Sequence, residues 1–426
     1  MTAFAALMAE QALELVLAER HADAEAVAKY GISAADTLAY VLYLLGHTQY
    51  RLRRYEEEAV ALAASVAIDP GQASAQNDLA ASLFALGREA EAVAAIQRAL
   101  AARPDLAEAR ETWAIELLRA GRLREAWPHY EARLHSLSGS RYRRDLPQPQ
   151  WRGDVPVAGR TILLYAEQGA GDTFQFVRYV PLVAAQGATV VLEVSPGMRQ
   201  AMAGLTGAKM VVEHGESLPD FDLHCPLMSL PLAFGTDLAA IPAEVPYLAP
   251  LPDRVAAWRA RLGPRRGVRV GVAFSGNPAH PDDGRRSVPL VQFARLLTAA
   301  PDREFHILQN AIRDADRFAL DLLPHLHDHS AAIGDFADTA ALVTLMDVVV
   351  SADTAVAHLA GALGWPVWVL LPFRPDWRWM LGRDDSPWYP TMWLFRQQRP
   401  GDWESVLDSV ARRLDETLGS DQRVVT

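Results

Sequence analysis

Cysteine is all but missing from this chain of 426 residues: Cys225 stands alone. An internal disulfide is therefore impossible and a thiolate-rich metal site is excluded, so Cys225 reads as a core residue. Long apolar runs are missing as well. No stretch is apolar enough to cross a bilayer, and the amino end lacks a basic segment leading into a long apolar one. The expected protein is cytoplasmic, without an integral membrane segment. Excess positive charge is also absent: 41 Lys and Arg face 52 Asp and Glu, a formal charge of -11. That balance argues against a nucleic-acid partner and leaves room only for a local basic cleft. Half of the residues are apolar, enough for more than one core and roughly two to four domains.

What is present first is a period. Pro70 and Pro104 lie 34 residues apart, Arg53, Gly87 and Gly121 recur at that interval, and so do Gly46, Ala80 and Ala114, and Ala92 and Ala126. Small residues at fixed places let paired helices approach closely, and the pattern resembles the tetratricopeptide repeat. The match is good over 73–106 and fair over 39–72 and 107–140, while 1–38 has a helical pattern suited to a degenerate or capping unit. Stacked helix pairs form a solenoid because no single pair buries its apolar face, and the curved surface can hold a peptide or shield the rest of the chain. Tyr50, Arg51, Arg53 and Arg54, and then Arg141, Arg143 and Arg144, form basic groups that read chiefly as solvated surface. The helical module is assigned to 1–135. Ser136–Ser140, Pro147, Pro149, Gly153 and Pro156 mark a linker over 136–157.

Beyond the linker the pattern changes to α/β. Thr161–Tyr165 reads as a strand, Glu167–Thr173 as a glycine-bearing turn, 174–185 as a helix and Thr189–Val194 as the next strand. Gly169 and Gly171 let the backbone turn sharply and pass close to a ligand. Asp172, at the helix start, can cap the helix or present its carboxylate as a general base. The loop lacks both the full dinucleotide fingerprint and the closing lysine of a phosphate-binding loop. A second lobe opens with a strand over 268–274 and the turn Ser275–Pro278, with further strands at 305–309, 348–350, 367–371 and 392–395. Its most informative stretch is Asp347–Gly361, a buried strand turning directly into a helix of small residues that Asp353 or Thr354 can cap. Ligands of an open α/β sheet sit beyond the carboxyl ends of the strands, where helix-start amides point outward.

Gly169–Asp172, Ser275–Asn277, Arg285–Ser287 and Asp353–Gly361 together resemble the two-lobed GT-B glycosyltransferases, in the neighbourhood of the ADP-heptose:lipopolysaccharide heptosyltransferases of glycosyltransferase family 9. The chain also resembles bacterial tetratricopeptide-repeat proteins that carry such a domain, some associated with flagellin glycosylation. The fold class expected is α + α/β: an N-terminal repeat solenoid followed by a GT-B domain of two Rossmann-like parallel sheets. The first lobe, on the acceptor side, is assigned to 158–250 and the second, on the nucleotide-sugar side, to 251–400. A helix over 401–418 packs back on the first lobe by the same likeness. The resemblance implies that Asp172 is the catalytic base, that Asp353, Thr354 and Ala355 meet the donor diphosphate, and that transfer inverts the sugar without a metal. Its members usually carry a lysine in the second-lobe phosphate region, and Arg285 or Arg286 stands in that place here.

The donor site expected from residues and resemblance together comprises Gly169, Gly171, Ser275, Asn277, Arg285, Arg286, Asp353, Thr354, Ala355, His358, Arg374 and Trp377. Guanidinium groups stay charged and hold two phosphate oxygens, which favours Arg286 as the phosphate ligand. His358 reads either as a phosphate or ribose contact or as a satisfied structural histidine. Arg374 and Trp377 belong to an aromatic stretch that serves as a substrate contact or as a packed wall. His280, Asp282 and Asp283, and separately His325, His327 and His329, lack a full metal-ligand set, so neither a metal nor a cofactor is expected. The function read is sugar transfer from a nucleotide-activated donor to a hydroxyl acceptor, a protein such as flagellin bound through the repeats. Lipopolysaccharide or another glycan as acceptor, and a non-catalytic nucleotide-sugar-binding adaptor, are the alternatives.

Overall fold

The computed structural model describes residues 35–51, 54–280, 282–299, 303–323 and 325–418. The capping unit expected before residue 35, and Arg53 of the repeat pattern, lie outside them. Six helices come first: α1 (Ala35–Arg51), α2 (Tyr55–Ile68), α3 (Ala73–Ala85), α4 (Glu89–Ala102), α5 (Ala107–Arg119) and α6 (Leu123–Tyr130). They pair as a tetratricopeptide-repeat solenoid, and the periodic small residues explain why. A Cβ at Gly46 would sit 2.6 Å from Leu62 Cγ, so α1 and α2 pack only because none is there. Ala80, Ala92, Ala114 and Ala126 are fully buried at the matching places. Gly87 and Gly121 take the left-handed φ values +74° and +77° that turn each pair, a conformation that favours glycine. The first compact unit ends at Arg143 and the second begins at Arg144, with Arg119–Arg124 counted in the second.

The second unit holds two parallel sheets. The first is built from β1 (Thr161–Tyr165), β2 (Thr189–Val194), β3 (Ala208–Glu213) and β4 (Leu223–Pro226) in the order β3-β2-β1-β4. Between β1 and β2 run α7 (Ala170–Phe176) and α8 (Val180–Ala185), separated by a 3-10 turn where the sequence suggests one continuous helix. Pro181 opens α8, where its missing amide costs nothing. Residues 149–151 add to the free edge of β4: Trp151 N donates to His224 O at 2.8 Å and His224 N to Pro149 O at 3.2 Å. Cys225 is buried in β4, as a core residue should be.

After α9 (Pro252–Leu262) the second sheet follows, with β5 (Val268–Ala273), α10 (Leu290–Ala299), β6 (Arg303–Ile307), α11 (Asp314–Asp321), β7 (Leu326–His327), α12 (Phe336–Val343), β8 (Val348–Ala352), α13 (Ala355–Ala362), β9 (Val367–Leu371), β10 (Met392–Arg396) and α14 (Trp403–Leu418). Its order is β10-β9-β8-β5-β6-β7. The central β8 is buried on both faces, which is why Val348–Val349–Val350 reads as an unbroken apolar run. β6 starts and stops two residues earlier than its sequence pattern suggests. Gln309 is withdrawn from the strand because its side chain accepts from Phe274 N at 2.9 Å and donates to Ser275 Oγ at 2.8 Å. The final helix is a correction. α14 turns Trp403, Val406, Leu407, Val410 and Leu414 into the core of the second sheet, not onto the first lobe, and Arg295 pairs with Asp408 at 2.7 Å to fix it there. That stripe has the spacing of one helix face, and each residue contributes about 1.5–3 kcal/mol on full burial.

The two lobes touch where α7 meets α13. A Cβ at Gly171 would lie 2.8 Å from His358 Cδ2 and 3.6 Å from Ala355 Cα. His358 cannot yield, since Tyr389 Oη lies 3.0 Å from its Nδ1 and Trp379 stacks on its ring at 5.1 Å. Gly171→Ala is therefore expected to destabilise the second unit by about 1–3 kcal/mol, seen as a lower thermal midpoint; an unchanged midpoint contradicts this packing.

Away from the lobe contact, β6 and β7 set His306 opposite His327 with rings 4.8 Å apart, and His329 Nε2 lies 3.1 Å from His306 Nδ1. The rings stack and do not converge, and among the described residues no group of His, Cys, Asp or Glu is placed to hold a metal ion. Burial and the neighbouring imidazoles hold His306 down at about 3 and His329 at about 4. An unfolded chain takes up these protons near pH 6.5 and the folded one does not, so stability is full above that pH and declines below it. Because the two rings touch, they titrate as a pair, and stability is expected to fall as the pH drops from about 7.5 to about 5. Urea midpoints at the two pH values measure it, and His306→Gln is expected to flatten the dependence.

Candidate active site

In an open parallel sheet the crevice lies where neighbouring strands lead off to opposite sides. For the first sheet that point is between β1 and β4, where the loop after β1 ends on Gly169 and the first turn of α7 carries Gly171 and Asp172. For the second it is between β5 and β8; the loop after β5 carries Ser275, Asn277, Arg285 and Arg286, and the turn after β8 carries Asp353 and Thr354. The contact of α7 with α13 brings these two crevices together.

Asp172 does both things its position allows. Its Oδ2 accepts from Gly169 N at 2.7 Å, closing the first turn of α7 from the third helical position. Its Oδ1 accepts from Arg378 Nη2, which comes from the other lobe. Each carboxylate oxygen has two acceptor positions, so this pairing leaves capacity for a further proton donor. The Asp172 side chain remains 19% exposed, whereas that of Arg378 is 8% exposed. Arg378 is tied to its own lobe by Asp376 Oδ1 at 2.8 Å and reaches Gln175 Oε1 with Nε at 2.7 Å. Its guanidinium also lies 4.4 Å from the Trp377 ring centre. Against partial desolvation, that cation holds the Asp376 carboxyl below the usual carboxylate range.

Arg286 sits on the opposite wall. Gly276 makes room for it, since a Cβ there would lie 2.7 Å from Arg286 Nη2. Its Nε is 3.7 Å from Asp283 Oδ1 and forms no hydrogen bond. Asp283 is in turn held by Arg313 and by Ser287 Oγ at 2.9 Å, so the loop that carries Arg286 is braced from below. Burial and the nearby Asp376 push Asp353 up to about 6, with Arg286 pulling the other way. His358 is buried, and burial, then Arg378, lowers it to about 3. At neutral pH its ring is neutral and offers hydrogen bonds without charge; its Nε2 lies 4.0 Å from Asp353 Oδ1. Thr354 begins α13, which no side chain caps, leaving first-turn amides for an anion.

The structure thus brings Gly169, Gly171 and Asp172 of the first lobe to the start of α13 with Thr354, Ala355 and His358, and sets Arg286 within electrostatic reach of Asp353 and His358. Ser275 is committed to Gln309, and Asn277 Oδ1 accepts from Ala279 N at 3.0 Å in an exposed turn. Arg285 turns to Asp282 at 3.7 Å, so the two adjacent arginines have different surroundings. Trp377 is 3% exposed and packed against Phe176 and Trp388, with its faces taken. Arg374 lies half-buried in the loop after β9. Sequence reasoning missed Arg378, Asp376, Gln175 and Arg178. Arg178 Nη1 donates to Trp388 O at 2.5 Å, and its guanidinium lies 4.5 Å from the Tyr389 ring centre. The available signal was an arginine set between two tryptophans at 377–379: a buried cation requires partners, and the nearest acids in sequence supply only one.

No family model matches the chain. Over 326 residues, 70% of its length, it is 26% identical to Protein FlbA of Caulobacter vibrioides, and it spans about half, 53%, of that curated relative. Among solved structures it is similar to the E. coli ADP-heptose lps heptosyltransferase II, with 13% identity and a TM-score of 0.47 over 62% of this chain and 99% of that one. It is also similar to a mutant of the Thermobaculum terrenum O-GlcNAc transferase, with 15% identity and a TM-score of 0.36 over 99% of this chain and 91% of that one.

Proposed function

We propose that the α/β unit is a glycosyltransferase that moves a sugar from a nucleotide-activated donor to a hydroxyl acceptor. The reading rests on the joint of α7 with α13: the start of α13 has no side-chain cap, the Arg286 Nε makes no hydrogen bond, and the Asp172 carboxylate of the other lobe stays partly exposed. Positive potential on the second lobe suits the diphosphate of a nucleotide sugar. The acceptor oxygen attacks the anomeric carbon while the bond from that carbon to the phosphate oxygen breaks. Asp172 takes the acceptor proton, and Arg286 with the helix amides stabilises the departing diphosphate. Direct displacement inverts the anomeric centre. Arginine and backbone amides neutralise the leaving group, so the chemistry needs no metal.

The acceptor is read as a protein such as flagellin, held by the repeat unit in the cytoplasm. Among the described residues no helix is long and apolar enough to cross a membrane. A panel of nucleotide sugars tested by ligand-detected binding, followed by mass analysis of flagellin and of glycolipid incubated with the protein, separates the two acceptor classes. Failure of every nucleotide sugar to bind would contradict the proposal. With the donor in hand, Asp172→Asn is expected to lower kcat about 100-fold or more while donor affinity holds. Arg286→Ala is expected to weaken donor binding about tenfold or more, read as Kd. Turnover in excess chelator should equal turnover without it, and a loss restored by added divalent ion would overturn the metal-independent step.

A further inference from the structure

Arg378 has no part in the chemistry just described, yet it makes the most direct bond across the cleft to the proposed base. Its guanidinium is held on its own lobe by Asp376, whose Oδ1 accepts from Arg378 N at 3.0 Å and from Nη1 at 2.8 Å. That leaves the edge formed by Nε and Nη2, the edge that grips two acceptors in parallel, facing α7. Nε donates to Gln175 Oε1 at 2.7 Å and Nη2 donates to Asp172 Oδ1. Gln175 is fully buried, so this acceptor cannot drift.

We infer that Arg378 is the positioning residue for Asp172, fixing the carboxylate in its working orientation only when the two lobes are closed. Asp172 and Gln175 belong to the first lobe and Arg378 to the second, so opening the cleft removes the brace from the base. Gly169 N alone then holds the carboxylate, and one hydrogen bond to one oxygen leaves the other free to swing. Base alignment is thereby tied to closure, and an open enzyme does not spend its donor on water. Arg178 runs the other way, from the first lobe to Trp388 O of the second, with its Nη2 donating to Tyr247 Oη of its own lobe at 3.0 Å, and does not touch Asp172. It serves as the control for lobe closure by itself.

This inference rests on the reading of Asp172 as base, and the two fail separately. With the nucleotide sugar identified by the binding panel, Arg378→Ala is expected to lower kcat about 100-fold with donor KM within about threefold. Guanidinium ion added to that variant should restore kcat about tenfold by refilling the site, and should do nothing for Asp172→Asn or for Arg178→Ala. An Arg378→Ala protein that keeps its kcat, or that folds normally and gains nothing from guanidinium, overturns the positioning role. Should that variant not fold, Arg378→Lys decides: a reduced kcat at unchanged KM agrees, since an ammonium cannot reproduce the two-point grip, and wild-type kcat overturns it. Full turnover in Asp172→Asn would instead remove the base assignment itself.

Discussion

Two arginines cross between the parallel sheets in opposite directions, and the site exists because both find partners on the far side. Arg378 leaves the second lobe for Asp172 and Gln175, while Arg178 leaves the first for Trp388 O. One residue serves both, because Gln175 O accepts from Arg178 Nε at 2.7 Å as its side chain accepts from Arg378. Burying a guanidinium is costly unless its donors are satisfied. These pairs therefore contribute little net stability and chiefly select one arrangement of the closed lobes, since any other closed packing would leave two buried cations without partners. The apolar wall of Phe176, Trp377 and Trp388 around them keeps water out and raises the electrostatic stakes.

The charge pattern at the mouth follows from that arrangement. Asp172 and Asp376 are occupied by Arg378, while Asp353 is buried near a like charge and pushed up to about 6. His358, pressed between Trp379 and Tyr389, is kept neutral. Arg286, lodged against Gly276, makes no hydrogen bond through its Nε. On the proposed reading an incoming diphosphate is neutralised by Arg286 and the start of α13, which leaves the Arg378 to Asp172 pair intact.

Much of the fold was legible because it rests on local regularities. Gly46, Ala80 and Ala114 mark where helices touch, and the boundaries of β1, β2 and β9 coincide with runs of apolar, mostly branched residues. The turn at Gly169–Asp172 was legible for the same reason, being a strand end, a glycine and a cap within a few residues. What was not legible depends on pairs far apart in sequence. Nothing near Arg378 announces a partner 206 residues away, and nothing near Arg178 announces one 210 residues away. The neighbouring Arg374 and Trp377 drew attention because aromatic and cationic types suit a ligand. Trp377 is instead spent on packing, and the stripe on α14 names an apolar face without saying which sheet receives it.

On the proposed reading, the joint between the lobes receives an activated sugar with its diphosphate on the second lobe and its anomeric carbon beneath Asp172. A crystal structure of the protein with its nucleotide sugar tests this most directly. Phosphate oxygens are expected within hydrogen-bonding distance of Arg286 and of the first amides of α13, with the Arg378 to Asp172 bond intact and the carboxylate facing the sugar. A diphosphate bound away from Arg286 and Thr354, with Asp172 turned from the sugar, would contradict it.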